Sequence, residues 1–174
     1  MSGFGRRTLW VVAVLMIMGY QIHAQHGGPS LPSVQLNADD LGPRSIEDLT
    51  RKSVPRDYAF AWQTMARALA ENRVDLLNGY FTGLAKEKLT QRIEAQRKAG
   101  IHVIYSDRGH KLTGLFYSPA GDAMQLRDNA QLEIQILDGN TLLQKEQVGL
   151  QYMVLMTPGA DRWLVRDLQT TQKH

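Results

Sequence analysis

The sequence predicts an α+β domain: two or three N-terminal helices packed on a curved antiparallel β-sheet. Two observations carry that expectation. From Tyr58 to Gly100 the apolar residues recur at helical spacing, and from Ile101 to Leu168 they mostly alternate. A run of helices handing over to a run of strands places the helices together on one face of an antiparallel sheet. A third observation bounds the compartment. Arg6-Arg7 is followed by an apolar stretch from Leu9 to Tyr20, the pattern of an export or anchoring signal.

The chain has 174 residues, 43% of them hydrophobic and 21% charged, an ordinary composition for a chain that buries one core. The net charge is +3. From Pro55 onward there are 15 Lys/Arg against 13 Asp/Glu, a balance too even for the basic stripe of a nucleic-acid binder. There is no cysteine, which excludes disulfides, thiolate catalysis, cysteine metal sites and lipoprotein anchoring.

Residues 1–24 read as a signal peptide or an N-terminal membrane anchor. About twelve apolar residues suit a signal core and fall short of the ~20 that span a bilayer as a helix. Ala24 is a suitable last residue before cleavage, but Ile22 stands where a small residue is preferred. Two readings stay open: a cleaved signal with an exported, periplasmic or secreted domain, and a retained single-pass tether through residues 9–24. Residues 25–54 carry Gly27-Gly28-Pro29, Leu31-Pro32 and Gly42-Pro43, too much punctuation for a regular element. We expect a flexible linker there, with Ser45 to Leu49 able to form one helical turn. The domain proper is then 55–174.

Pro55 and Asp57 offer a helix start, after which Tyr58, Ala61, Trp62, Met65, Ala66 and Leu69 share one face. Glu71-Asn72-Arg73 breaks the pattern, and a second short helix carries Val74, Leu77, Tyr80 and Phe81. Thr82 is placed to cap a third helix with a narrow stripe of Ala85, Leu89 and Ile93, ended by Gly100. Its many Lys and Arg read as a solvated face.

In the strand half, Ile101, Val103 and Tyr105 alternate up to Asp107-Arg108-Gly109, which reads as a turn. Leu112 to Tyr117 follows with apolar residues on both faces, then a second turn at Pro119 to Asp122. Leu132, Ile134 and Ile136 face one way and Gln131, Glu133 and Gln135 the other. Asp138-Gly139 is a hairpin signal, and the return strand sets Val148, Leu150, Tyr152, Val154 and Met156 on one face. After Pro158 to Asp161, Trp163 and Val165 oppose Leu164, Arg166 and Leu168. Asp128-Asn129 reads as a bulge in an otherwise long strand.

Two stretches, Trp62-Gln63-Thr64-Met65-Ala66-Arg67-Ala68-Leu69-Ala70-Glu71-Asn72-Arg73-Val74-Asp75-Leu76-Leu77 and the closing Trp163-Leu164-Val165-Arg166-Asp167-Leu168, give residues 56–170 a resemblance to the nuclear transport factor 2-like superfamily. The resemblance implies a cystatin-like cone, a curved sheet wrapped around a long helix. It also implies three kinds of activity: acid–base enzymes such as isomerases and cyclases, binders of apolar small molecules, and accessory or assembly domains.

The enzyme reading needs an ionisable group in the cone with a shifted pKa. Asp128 is the candidate, with Tyr105, Tyr117 or Tyr152 as hydrogen-bond donors. We read Asp128-Asn129 instead as capping a bulge or turn and facing water, so no catalytic residue is assigned. His102 and His110 flank the expected turn too far apart to share a metal, although Asp107 would lie opposite His110. No cofactor is implied. The preferred reading is a non-catalytic domain that binds a partner protein or a small apolar ligand, with Trp62, Tyr105, Phe116, Tyr152 and Trp163 as ligand contacts. Its double-sided apolar strands suggest a homodimer through the sheet face.

Overall fold

A computed structural model of the chain describes residues 30–171. The expected signal or anchor at 1–24 lies outside these residues. Among them, no helix is long and apolar enough to cross a membrane.

The order of elements is β1 (Val34–Asn37), α1 (Asp48–Glu71), a 3₁₀ turn (Val74–Gly79), α2 (Gly83–Ala99), β2 (Ile101–Tyr117), β3 (Met124–Asp138), β4 (Thr141–Pro158) and β5 (Trp163–Thr171). The five strands form one sheet in the order β1-β2-β3-β4-β5. Strands β2 to β5 are an antiparallel meander, and β1 adds to the β2 edge in parallel. The core lies between α1, α2 and the inner sheet face, and the architecture is the α+β cone that the sequence predicts.

Two features of the described part of 25–54 differ from the flexible linker expected there. Val34–Asn37 is a strand, because Val34 and Leu36 pack on the core while their backbone pairs with His110–Thr113. The first helix begins at Asp48, so Pro55 sits inside it rather than at its start. A proline in a helix interior loses one backbone hydrogen bond. Here the first turns are held at both ends: Val54 is fully buried, and Glu47 pairs with Arg44 while Tyr117 Oη donates to Glu47 at 3.2 Å.

Helix α1 buries Tyr58, Ala61, Trp62, Met65, Ala66 and Leu69, the predicted face, together with Asp57. It ends at Asn72 in the left-handed conformation (φ 52°). Asn72 Nδ2 donates to the Ile101 carbonyl at 2.8 Å, and its Oδ1 accepts from Gln96 Nε2 at 3.0 Å. One side chain thus ties the ends of both helices to the start of β2. In α2 the stripe Ala85, Leu89 and Ile93 is buried as expected, and Gly100 (φ 73°) closes the helix. Thr82 takes the N-cap position without a side-chain bond.

Asp57 connects α1 to the far end of the sheet. Its Oδ2 accepts the Trp163 backbone N–H at 2.8 Å, and its Oδ1 accepts from Arg56 Nε at 2.8 Å. The residue is buried, so Asp57→Ala would leave the Trp163 amide without a partner. A buried unpaired donor costs about 1–3 kcal/mol. We expect a loss of that size in urea unfolding; an unchanged midpoint would show that the amide finds another acceptor.

The strand calculus changes at Asp107-Arg108-Gly109. The sequence reads a turn there, but β2 runs unbroken from Ile101 to Tyr117 with a bulge between Asp107 and Gly109 and a second between Gly114 and Phe116. Asp107 pairs opposite Leu132 and Gly109 opposite Gln131, leaving Arg108 as the extra residue. An added residue shifts the two-residue alternation by one. The inner face therefore reads Val103, Tyr105, Asp107, then His110, Leu112, Gly114, then Tyr117. A similar bulge between Leu155 and Met156 sets Leu168 opposite Val154 on the core side, not with Leu164 as the alternation predicts. Asp128-Asn129 carries no bulge: Asp128 pairs with Leu112 and Tyr152 in the regular ladder. The hairpin at Asp138-Gly139 is as expected, with Asp138 opposite Thr141 and Gly139 at φ 55°.

Candidate functional site in the cone

Alternation in β3 decides where Asp128 goes. Met124, Leu126, Ala130 and Leu132 share its phase, and all are buried on the inner face. Asp128 is carried in with them and has no exposed surface. The expectation that it faces water is thus corrected: a bulge would have been needed to turn it out, and none is present.

A buried carboxylate needs partners. Tyr58 Oη, from α1, donates to Asp128 Oδ2 at 2.8 Å. His110 Nδ1 lies 2.7 Å from the same oxygen. The bulge brings Asp107 and His110, three residues apart, onto one face, and His110 Nε2 lies 2.5 Å from Asp107 Oδ2. The other Asp107 oxygen accepts the Gly109 N–H at 2.7 Å, which stabilises the bulge itself. Tyr58, Asp128, His110 and Asp107 form one hydrogen-bonded chain from helix to strand.

Both ring nitrogens of His110 face carboxylates, so both donate and the ring is an imidazolium. Burial opposes the charge, but the hydrogen bonds that His110 donates to Asp107 and Asp128, and their negative charges, outweigh it, raising the His110 pKa to about 9. Burial, then the Asp128 charge, pushes the Tyr58 hydroxyl well above its ordinary range, so it remains a neutral donor. Trp62 covers the imidazolium with ring centroids 4.4 Å apart, a favourable cation–aromatic contact.

Of the predicted ligand contacts, Trp62, Tyr105 and Tyr152 are brought together. Trp62 lies 6.4 Å from Tyr105 and 5.4 Å from Tyr152, centroid to centroid, both edge-on. Arg92 of α2 donates to Tyr105 Oη at 2.8 Å. Trp163 sits elsewhere, at the β4–β5 turn, packed on Tyr117 at 6.3 Å. Phe116 is not in the cone at all. The second bulge turns it to the outer face opposite Gln125, where it is 39% exposed. Asp107, His110 and Tyr58 complete the cluster without having been assigned to it. The usable signal was the phase of Asp128 along β3. Among the described residues, no group of three His, Cys, Asp or Glu is arranged to hold a metal ion.

The chain matches no family model and no curated protein. Among solved structures it is similar to the intermembrane space region of the chloroplast protein ARC6, with a TM-score of 0.64 and 10% identity over 75% of this chain and 100% of that one. It is also similar to ActVI-ORFA from Streptomyces coelicolor (TM-score 0.50, 13% identity, 71% of this chain and 97% of that one). A protein from Catenulispora acidiphila gives a TM-score of 0.51 at 9% identity over 71% of this chain and 94% of that one. At such identities the likeness is one of fold. It supports the cone-shaped α+β architecture.

Proposed function

We propose that this chain is a binding domain of the nuclear transport factor 2-like superfamily that carries out no chemistry in its cone, exported or tethered to a membrane by its N-terminal segment. The observation that carries this reading is the burial of three of the four members of the polar chain, Asp107 alone being partly exposed. The side chains of His110 and Asp128 have no exposed surface, and Tyr58 has none either. A general acid or base must come within hydrogen-bond reach of a substrate. Here Asp128 Oδ2, His110 and Asp107 are bonded to one another, and Trp62 closes over the ring. The chain of bonds instead fastens α1 to the sheet.

The proposed activity is the binding of a partner protein or a small apolar ligand, with a second copy of the chain on the outer sheet face. Phe116 supports the latter. It stands beside Gln125, whose other ladder neighbour, Leu155, is half-buried, as is Met153 opposite Arg127. Native mass spectrometry of the purified protein tests the reading. A dimer, or a monomer carrying an apolar molecule, is expected, and Phe116→Arg should return the dimer to monomer. A bare monomer would refute it.

One observation favours a second reading, an acid–base enzyme. Asp128 Oδ1 is buried and has no hydrogen-bond partner among the described residues. That oxygen is where a substrate O–H or N–H would bond if the cone opened.

A further inference from the structure

The bulge at Arg108 has a second effect, on the outer face of the sheet. Where Arg108 leaves the ladder and Gly109 adopts φ 130°, the edge of the sheet opens into a concavity of about 220 Å³. Ser33 and Gln35 wall it from the β1 side, Arg108 and Lys111 from β2, and Asn129 and Gln131 from β3.

The donor set is unusual for an outer sheet surface. Besides Gly109 and His110, whose side chain is fully buried, it holds two cations, three carboxamides and a hydroxyl, and no carboxylate lines it. The nearest acids are committed elsewhere. Asp107 is used by Gly109 and His110. Glu133 is bonded by Lys145 at 2.9 Å and by Arg108 at 3.3 Å. Lys111 has no ion-pair partner among the described residues, and the side chains of Gln35 and Gln131 have no protein hydrogen-bond partner there. Asn129 Oδ1 already accepts from Gln151 at 3.1 Å, so its N–H groups are what it has left to offer. Gly149 lies under Gln131: a Cβ at that position would come within 3.1 Å of Gln131 Nε2.

We propose that this concavity binds a monosaccharide-sized sugar acid. Lys111, with Arg108 beside it, takes the carboxylate, while Ser33, Gln35, Asn129 and Gln131 take the ring hydroxyls. Carboxamides select for the sugar. Gln35 and Gln131 can each both donate and accept, as a hydroxyl does, and Asn129 adds N–H donors, whereas a bare anion uses only donors. The single unpaired ammonium selects for an anionic sugar over a neutral one. The site does not depend on the proposed binding role of the cone.

The test is titration of the full chain with glucuronate, glucose and glucose 6-phosphate, read in amide ¹H–¹⁵N spectra. Glucuronate should shift the signals of Gly109, Lys111 and Gln131. Lys111→Ala and Gln131→Ala, both surface changes, should each weaken it about tenfold, the effect of one charge-assisted or well-placed hydrogen bond. Glucose should bind at least tenfold more weakly than glucuronate. The proposal is overturned if glucuronate leaves those amides unmoved at millimolar concentration, if Lys111→Ala binds as the parent does, or if glucose 6-phosphate binds as tightly as glucuronate.

Discussion

Replacing Asp128 with alanine is expected to destabilise the domain by about 3–5 kcal/mol, the usual result of removing one member of a fully buried charge pair. The reason lies in what remains. His110 would keep its proton beside Asp107 but lose the acceptor at Nδ1, and Tyr58 Oη would lose its bond to the sheet. Neither group can turn to water, since both side chains are buried. Tyr58→Phe should cost less, about 1 kcal/mol, because Asp128 Oδ2 retains His110. Urea unfolding of the two variants measures the difference. If Asp128→Ala lost less than Tyr58→Phe, the carboxylate would be a burden on the fold instead of its fastening, and the enzyme reading would gain.

The second large effect is on the pH dependence of stability. In the folded chain His110 titrates at about 9, against an ordinary value of 6.5 in the unfolded chain. Below the lower value both states hold the proton, and the stabilisation is fully present. Between the two only the folded state holds it, so each step up in pH favours unfolding. Above the upper value the contribution is gone. The separation corresponds to about 3 kcal/mol, lost as pH rises from about 6.5 to about 9. Urea midpoints measured across that window should fall, and His110→Gln should remove most of the slope at the expense of stability at neutral pH. A flat profile in the parent protein would mean that the imidazole is neutral between its two carboxylates.

Much of this architecture was legible in the residues. The helical face from Tyr58 to Leu69, the break at Glu71-Asn72-Arg73, the stripe on α2 and its end at Gly100, and the Asp138-Gly139 hairpin follow from local rules that the tertiary structure leaves standing. The break read in β2 has one origin. Asp107-Arg108-Gly109 has the composition of a turn, and a bulge with a glycine uses the same residues for the same local reasons. Only the pairing partner across the ladder distinguishes them, and that information is not local. Reading a turn split β2 in two and hid the approach of Asp107 to His110. Two further register shifts, at Leu115 and at Arg166, lie in stretches that read as plain alternation, and they put Phe116 outside the cone and Leu168 on its core side. Asp128 is different, because the alternation of Leu126, Ala130 and Leu132 around it was visible. The general preference of aspartate for turns outweighed that evidence, although the residue has no freedom to leave a strand whose neighbours face inward. At the amino end, Pro55 masked the first turns of α1, which depend on the neighbouring Arg44–Glu47 pair and on Tyr117 from β2.

The two irregularities in β2 also bear on how the gene could lengthen or shorten. Arg108 and Leu115 each stand outside the one-to-one pairing with β3. Either codon could be lost and the inward residues downstream would keep their orientation, whereas a single insertion in the regular stretch from His110 to Gly114 would evert everything after it until a compensating change restored the frame. Length variation among descendants of this chain should therefore collect at those two positions and spare the segment between them.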